Sequence, residues 1–339
     1  MKFKLPAPVN KVLQTLQQGG FQAFVVGGGV RDLLNDTPVT DWDFTTNATP
    51  EQILKLFPDG FYDNVFGTVG VAEKYLGGED EEVFEITTFR TESGYSDRRR
   101  PDKVTWGKTI DEDLKRRDFT INAMALSAKL ELVDPFNGQA DLKQRLIRAV
   151  GIPDTRFNED ALRMMRAIRI ASQLGFMIEP QTWAAISRNN ALIKEISAER
   201  IRDELLKIIG SNFPKDGVGL IFSTGLLEHI LPELIATRGV DQAGHHTKDV
   251  WNHSLDALAA SPSPDPVIRL ATLLHDIGKP RVKASREGKE ITFYNHEVVG
   301  ARMVKEIARR LKFSKDDINL LWILVRWHMF AYEPKMTDK

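Results

Sequence analysis

Cysteine is absent from the 339 residues of this chain. A disulfide framework and a thiolate metal site are therefore excluded. Long apolar runs are missing as well: none approaches the length of a membrane span, and the first residues lack the apolar core of a signal peptide. The apolar fraction of 42% supports a sizeable core, and the length suits two or three domains. We therefore expect a soluble, cytoplasmic protein without membrane contact.

Neither sign of charge is in excess, because 46 basic residues balance 47 acidic ones. The net charge of −1 gives no global signature of a nucleic-acid partner. Basic residues nevertheless gather locally, and phosphate backbones are bound by such patches. The basic clusters lie at residues 98–100, 115–117, 163–169, 200–202 and 309–310. Solvated helix faces are the alternative for any one cluster.

A glycine turn precedes a pair of aspartates in the first fifty residues. Residues 27–29 are all glycine, and they lie between an apolar run and a helix-like segment. A strand, a glycine turn and a helix N-terminus present bare backbone N–H groups to an anion such as phosphate. Asp41 and Asp43 follow. If residues 41–46 form a strand, alternation places both carboxylates on one face.

Two neighbouring carboxylates repel each other unless a cation lies between them. Mg²⁺ prefers one or two carboxylates together with substrate phosphates. Asp41 and Asp43 therefore predict a metal-holding pair beside a phosphate-binding turn, with a surface acidic loop as the alternative. Glu85, in a predicted strand, is either a solvent-side residue or a third member of this acidic group.

Periodicity predicts a mixture of strands and helices over the first 150 residues. Strands are expected at 23–26, 41–46, 66–72, 83–89, 130–133 and 145–150, and helices at 9–18, at 30–34 and from 50 onward with Thr49 as the N-cap. A polar loop is expected over 91–103, and a helix in the second half of 111–125.

From residue 158 onward the pattern is typical of successive helices. We expect a first domain over 1–150, an all-helical domain over 151–235 and a second helical domain over 236–339. Residues 159–171 are expected to form one helix, in which Asp160 and Arg163 are neighbours. Arg166 and Arg169 extend a basic face on the same helix, and surface salt bridging is the alternative.

All seven histidines lie in the last third of the chain, from His229 onward. Imidazoles together with a carboxylate suit a divalent metal site, whereas a lone histidine is usually a core residue. The adjacent pair His275 and Asp276 favours a metal site here, with His253 and His296 as further ligands. The remaining histidines are His245, His246 and His328. The pattern leaves the choice among Zn²⁺, Mn²⁺, Ni²⁺ and Mg²⁺ open.

Four motifs in order resemble those of the bacterial tRNA nucleotidyltransferases, the CCA-adding enzymes, a class that also contains bacterial poly(A) polymerases. The motifs are residues 27–32, 41–43, 116–123 and 159–163. The part that holds the histidines resembles an HD-type phosphohydrolase domain. The resemblance implies an α+β fold: a small mixed-sheet nucleotidyltransferase head, followed by an all-α neck and body and an HD-type helical domain.

The resemblance also implies an activity, namely addition of C and A to tRNA 3′ ends from CTP and ATP without a template. Residues 91–103 resemble the family's flexible loop, and residues 197–205 resemble a neck motif that braces the active site. The implied site residues are Asp41 and Asp43 for two Mg²⁺ ions with Glu85 as a third acid; Gly28, Arg31 and Arg117 for the triphosphate; and Asp160 and Arg163 for the base edge, assisted by Arg166 and Arg169.

Family members usually continue into a tail that grips tRNA, so we expect a truncated or short form, in which Asp338 is a candidate last metal ligand. Close alternatives in activity are a CC-adding enzyme, an A-adding enzyme or a poly(A) polymerase. A second class is an HD-domain metal phosphohydrolase that uses His275 and Asp276 and acts on phosphate ends or cyclic phosphates. A non-catalytic RNA-binding protein is a third, although an idle pair of like charges is costly. No protein partner is inferred.

Overall fold

The computed structural model describes residues 4–64, 67–78, 82–94, 103–241, 249–284 and 291–330. The chain divides into two compact units. Unit 1 comprises Met1–Asp160 and Met177–Thr182, and unit 2 comprises Ala161–Phe176 and Trp183–Lys339. The division into three domains at residues 150 and 235 stays a prediction. Within the described ranges, no helix combines the length and the apolar character needed to cross a membrane.

The described strands all lie in unit 1. They are β1 (Ala23–Val26), β2 (Asp43–Thr46), β3 (Phe61–Asn64), β4 (Thr68–Ala72), β5 (Val83–Thr88), β6 (Arg90–Ser93), β7 (Lys103–Trp106), β8 (Ala125–Ser127), β9 (Leu132–Val133), β10 (Leu146–Ile147) and β11 (Met177–Ile178). Seven of them form one sheet in the order β3-β4-β5-β2-β1-β8-β9. Only the β2–β5 pair in this sheet is parallel, so the predicted mixed sheet is confirmed.

Both units contain α-helices. Those of unit 1 are α1 (Ala7–Gln18), α2 (Gly28–Leu34), α3 (Pro50–Leu56), α4 (Ile110–Lys115), α5 (Gly138–Gln144) and α6 (Pro153–Glu159). Helix α8 (Pro180–Asn189) begins in unit 1 and ends in unit 2. The other helices of unit 2 are α7 (Leu162–Leu174), α9 (Ala198–Ile209), α10 (Pro214–Ser223), α11 (Leu227–Ile230), α12 (Pro232–Ile235), α13 (Val250–Ala260), α14 (Pro266–Leu274), α15 (Lys279–Val282), α16 (His296–Arg310) and α17 (Lys315–Trp327). The expected helical second part is confirmed.

One face of the large sheet is only partly covered. Val26 pairs in register with Asp43, so the two side chains point to the same side of the sheet. On that side, Val26 packs in a core cluster with Ile110 and Leu114 of α4. The cluster covers β1 and β8, whereas Glu85 on β5 is exposed on the same side. The carboxylate of Asp43 therefore stands where the covered half of the sheet meets the open half.

Several predicted elements begin or end elsewhere. The strand expected at 41–46 begins at Asp43, so Asp41 precedes it in an extended loop. The loop expected at 91–103 is shorter, because β6 and β7 pair at its two ends, and residues 95–102 lie outside the described residues. The strands expected at 130–133 and 145–150 shrink to β9 and β10. By contrast, Thr49 caps α3 as predicted, in a capping box with Gln52.

The helix predicted in the second half of residues 111–125 is wrong. The helix is α4, in the first half, where Thr109 and Glu112 form a capping box. The second half contains a short 3₁₀ turn and then β8. Its continuous apolar run reflects burial rather than helical periodicity, and such a run does not distinguish a helix from a buried strand.

The single helix predicted over residues 159–171 is also wrong. Helix α6 ends at Glu159, Asp160 is extended with φ −142° and ψ 106°, and α7 begins at Leu162. Aspartate disfavours helix interiors because its carboxylate competes for backbone N–H groups. Asp160 is the last residue of the first stretch of unit 1, whereas Arg163 belongs to unit 2.

Candidate functional site

The glycine turn, a carboxylate and an arginine meet at one point in unit 1. Gly27 is the N-cap of α2 and has φ +73°, a conformation that favours glycine. A β-carbon at this position would lie 3.1 Å from Oδ2 of Asp43 and 3.2 Å from Nη1 of Arg117. The structure thus brings together three of the features that the sequence suggested for metal and triphosphate binding.

The acidic residues occupy the open face of the sheet beside this turn. Asp43 on β2 pairs in parallel register with Glu85 on β5, which places both side chains on the same side. Asp43 is half-buried and Glu85 is exposed, as is Asp41 in the preceding loop. Among the described residues, these three do not form a group with ligand oxygens within 4.8 Å of one another. The all-carboxylate donor set nevertheless fits a hard divalent cation.

The guanidinium of Arg31 is held from two directions next to Gly28. Its Nε and Nη2 donate to the two oxygens of Asp32 at 2.8 and 2.9 Å. Its Nη1 donates to Oδ1 of Asn122 at 3.0 Å, and the Nδ2 of Asn122 donates in turn to Asp118. A β-carbon on Gly28 would lie 3.5 Å from Nη2 of Arg31. This preorganised arginine suits recognition of a phosphate.

A buried carboxylate holds the second predicted phosphate-binding arginine. Asp113 is fully buried, and its oxygens accept hydrogen bonds from Arg116 at 2.7 Å and from Arg117 at 3.4 Å. Burial by itself raises the pKa of Asp113, but the two guanidinium groups outweigh burial and lower it. The sequence prediction missed Asp113, although its spacing of three and four residues from the arginines is that of helical ion pairs.

The three arginines of α7 are half-buried among fully buried neighbours. Arg169 forms an ion pair with Glu204 of α9, with Nε 3.1 Å from Oε2. Glu204 is buried and lies in the segment 197–205, the predicted bracing motif. The pairing indicates that Arg169 braces α7 against α9. Arg166 and Arg163 lie about one and two helical turns before it, at three-residue steps.

Unit 2 contains a second cluster, in which four imidazoles surround one buried carboxylate. Nε2 of His275 lies 3.2 Å from Oδ2 of Asp276, and Nε2 of His296 lies 3.3 Å from Oδ1. His253 and His328 approach the same carboxylate at 3.6 and 3.7 Å. The ligand atoms form two groups that share Asp276: one with His253 and His275, the other with His296 and His328.

The hydrogen bonds of this histidine cluster fix which ring nitrogens carry protons. Nδ1 of His275, His296 and His328 each lies 2.8 Å from the backbone carbonyl three residues earlier, so each Nδ1 donates. Neutral rings then present Nε2 lone pairs to Asp276. Nε2 of His296 lies 3.2 Å from Nε2 of His328, and two facing lone pairs at that distance call for a cation between them. The donor set therefore fits a divalent metal ion.

The cluster contains residues that the sequence prediction did not select as ligands. His328 was counted among the histidines only, yet it completes the second group of ligands. Lys279 donates to Oδ2 of Asp276 at 2.6 Å. Burial by itself would raise the pKa of Asp276, but the neighbouring groups His275, His296 and Lys279 hold it far below its usual range. The proposed last ligand Asp338, together with His245 and His246, lies outside the described residues.

Comparison with known protein families finds three matches along the chain. A family model described as "Poly A polymerase head domain" matches residues 23–148. One described as "Probable RNA and SrmB- binding site of polymerase A" matches residues 175–237, and one described as "HD domain" matches residues 244–338.

Curated proteins named CCA-adding enzyme resemble about two thirds of this chain. The protein from Lactobacillus helveticus is 52% identical over 220 residues, which cover 65% of this chain and 54% of the relative. That from Levilactobacillus brevis is 45% identical over 229 residues, with 67% and 55% covered. The chain thus spans about half the length of the curated relatives it matches.

Solved structures extend the similarity over nearly the whole chain. A CCA-adding enzyme from Bacillus stearothermophilus, crystallised with CTP, is similar with a TM-score of 0.73 and 31% identity, covering 95% of this chain and 70% of that one. A Thermotoga maritima CCA-adding enzyme complexed with tRNA has the same fold at a TM-score of 0.63 and 20% identity, with coverages of 94% and 69%.

Proposed function

This chain belongs to the family of CCA-adding enzymes, and from that premise we propose that it adds CMP and AMP to the 3′ end of tRNA without a template, using CTP and ATP. The observation that carries the proposal is the meeting of Asp43, Arg117 and the Gly27 turn on an open sheet face. A carboxylate and a guanidinium beside a glycine turn provide for a metal ion and a triphosphate at one place.

In this proposal, Asp41, Asp43 and Glu85 hold two Mg²⁺ ions. When bound, such ions lower the pKa of an attacking hydroxyl and stabilise a leaving pyrophosphate. The protein's own part is positioning: Asp32 and Asn122 orient the Arg31 guanidinium toward one end of the triphosphate site.

Two arginines and the helix start hold the triphosphate in this assignment. Gly28 leaves room beside its backbone N–H, and Arg31 lies next to it. Arg117, directed by buried Asp113, reaches the Gly27 turn. Their fixed positive charges reduce the repulsion between a polyphosphate and the carboxylates of the open face.

The incoming base is assigned to Asp160 and Arg163, with Arg166 as a neighbour. A carboxylate and a guanidinium together offer the acceptor and the donors that distinguish base edges. Asp160 is the C-cap of α6: its backbone is extended, and its N–H donates to the carbonyl of Arg156. Arg169, which pairs with Glu204, supports α7 rather than the base itself.

The test supplies CTP and ATP separately to tRNAs that end at the discriminator base, at C and at CC. With full CCA activity, the tRNAs that end at the discriminator base and at C take up label from CTP, and the tRNA that ends at CC takes up label from ATP. CTP-only or ATP-only incorporation identifies a partial enzyme, and ATP tailing of arbitrary RNA identifies a poly(A) polymerase. Asp43→Ala should abolish incorporation, whereas Asp59→Ala, an exposed carboxylate after α3, should not. Failure of the wild-type protein to label any of these tRNAs contradicts the proposal.

We propose a second activity for the histidine cluster, because four imidazoles converge on Asp276. The site is assigned one or two divalent ions, and its residues also line a pocket of about 910 Å³. Hydrolysis is the expected reaction class: water opens a 2′,3′-cyclic phosphate to a phosphomonoester, or removes a 2′-phosphate with release of inorganic phosphate. The hydrolysis should depend on added divalent metal, be lost in His275→Ala and persist in Asp43→Ala. Absence of hydrolysis with Mg²⁺, Mn²⁺, Ni²⁺ and Zn²⁺ rejects this activity.

A further inference from the structure

One row of residues crosses four strands on the open face of the sheet. Phe61 pairs with Gly70, Gly70 pairs with Glu85, and Glu85 pairs with Asp43. Paired residues in a sheet share a face, so all four lie on the side of the acidic group. Neighbouring strands are about 4.8 Å apart, which places Gly70 roughly 10 Å from Asp43.

The ring of Phe61 fills the space that the missing side chain of Gly70 leaves. A β-carbon at Gly70 would lie 2.5 Å from Cζ of Phe61 and 2.9 Å from both Cε atoms, so the far end of the ring rests over Gly70. The ring therefore extends along the row toward the carboxylates. Phe61 is nevertheless 49% exposed. A large apolar ring at an edge strand is usually covered or replaced by a polar residue.

We propose that Phe61 is a stacking platform for the base of the 3′-terminal nucleotide of the RNA acceptor. The inference rests on the proposed function and names a residue that binds the RNA acceptor. The terminal ribose must lie at Asp43 and Glu85 for its 3′-hydroxyl to react, so its base is confined to their surroundings. Along this row, the exposed aromatic surface is that of Phe61. Unpaired bases stack on aromatic side chains with little sequence preference, which suits an acceptor end that changes after each addition.

The incoming nucleotide is the less suitable occupant. Its triphosphate is assigned to Arg31 and Arg117 at the Gly27 turn, next to the interior strands β1 and β2, whereas Phe61 lies on the edge strand β3, beyond β5 and β4. Glu85 lies between them in the row. The two nucleotides of the reaction thus have separate places on either side of the acidic group.

The structure offers a matched control on the same strand. Tyr62 follows Phe61, pairs with Val69 and points to the opposite face, yet it is 48% exposed. Phe61→Ala and Phe61→Leu remove the aromatic ring, the second with an apolar cover for Gly70 retained, and Tyr62→Ala removes an equally exposed ring elsewhere. Thermal unfolding of each variant measures any loss of stability separately.

The experiment measures KM for a tRNA ending in CC and KM for ATP, with a parallel acceptor whose last nucleotide is abasic. Phe61→Ala and Phe61→Leu should raise KM for the intact tRNA about tenfold and leave KM for ATP unchanged. On the abasic acceptor the two variants and the wild type should not differ. Tyr62→Ala should behave like the wild type throughout.

Three results would overturn the platform: an unchanged tRNA KM in both Phe61 variants, an equal rise in Tyr62→Ala, or a rise confined to ATP. If the wild-type protein transfers no nucleotide, the proposed function fails. Fluorescence anisotropy with the same intact and abasic acceptors then decides the platform independently. Weaker binding of only the intact acceptor by Phe61→Leu supports it, and equal binding or no binding by the wild type rejects it.

Discussion

Nη1 of Arg31 donates a 3.0 Å hydrogen bond to the side-chain oxygen of Asn122, which lies 91 positions further along the chain. The contact joins the helix after the glycine turn to the 3₁₀ turn before β8. Asp32 holds the other two guanidinium donors. The orientation of Arg31 therefore depends on a segment that is distant from it in sequence.

Asn122→Ala should raise KM for CTP about fivefold with little change in kcat, because an intramolecular hydrogen bond contributes roughly 1 kcal/mol. Steady-state CTP incorporation on a tRNA ending in C checks this. Asn122→Asp should restore part of the affinity, since its carboxylate also accepts from Arg31. A fall in kcat with constant KM would contradict a positioning role.

Asp113→Asn should raise KM for CTP more strongly, by about tenfold, because Arg117 loses the charge that directs it toward the glycine turn. Asp141→Asn is the matched control: Asp141 is also buried and paired with an arginine, Arg148, in the same unit. Both variants should lose stability, by a few kcal/mol in line with broken buried pairs (~3 kcal/mol). Only Asp113→Asn should affect KM, and in an Arg117→Ala background it should have no further effect.

The same carboxylate predicts a pH dependence of stability. The pKa of Asp113 is lowered in the folded state, so its contribution is present above the unfolded value of about 4 and is lost as the pH falls below it toward the folded pKa. The difference in unfolding free energy between wild type and Asp113→Asn should be constant near pH 7 and shrink below about pH 4. Urea denaturation at several pH values measures it, and a difference that grows on acidification would contradict the pairing.

Glu85→Gln and Asp43→Asn should differ in their response to Mg²⁺. Asp43 lies at the glycine turn beside Arg117, whereas Glu85 is exposed one strand away. Asp43→Asn should abolish incorporation at every Mg²⁺ concentration. Glu85→Gln should raise the Mg²⁺ concentration needed for half-maximal rate several-fold and recover at high Mg²⁺. Mg²⁺ titrations of the initial rate distinguish the two, and equal inactivation would make Glu85 an equivalent ligand.

The histidine cluster should lose metal in a stepwise pattern. Asp276 belongs to both ligand groups, His253 to one and His328 to the other. Asp276→Asn should remove all metal bound by unit 2, whereas His253→Ala and His328→Ala should each weaken one group. Equilibrium dialysis with Mn²⁺ followed by elemental analysis measures this. Full metal retention in Asp276→Asn would show that the ion binds elsewhere.

Local sequence patterns predicted much of unit 1, because turns, helix caps and the positions of single strands there depend on short-range features. Residue type and spacing predict the glycine turn, the Thr49 cap of α3 and the presence of strand β2. The extended conformation of Asp160 does not follow from a local pattern, because the helix propensity summed over residues 159–171 outweighs the contribution of a single aspartate. The register that joins Phe61 to Asp43 arises from three separate strand pairings, and no local pattern contains it.

In the candidate sites, the sequence predicted the kinds of residue better than it predicted which individual residues come together. The histidine–aspartate pair identified the metal cluster, but His328 is separated from His275 by three further helices, and only tertiary packing brings them together. Asp113 was hidden within a charged segment whose members look equivalent in sequence. Burial distinguishes it from its exposed neighbours Asp111 and Glu112.

The uniform Nδ1 anchoring of three histidines determines how their cluster meets a cation. Each ring is already rotated and already deprotonated on the inward nitrogen in its neutral form, so capture of a metal costs little conformational entropy. Protonation of the same nitrogens is the competing event, and the exchange of protons for metal makes occupancy steeply dependent on acidity. In the proposed metal-bound form, loss of the ion would therefore leave each ring in place, held by its Nδ1 hydrogen bond.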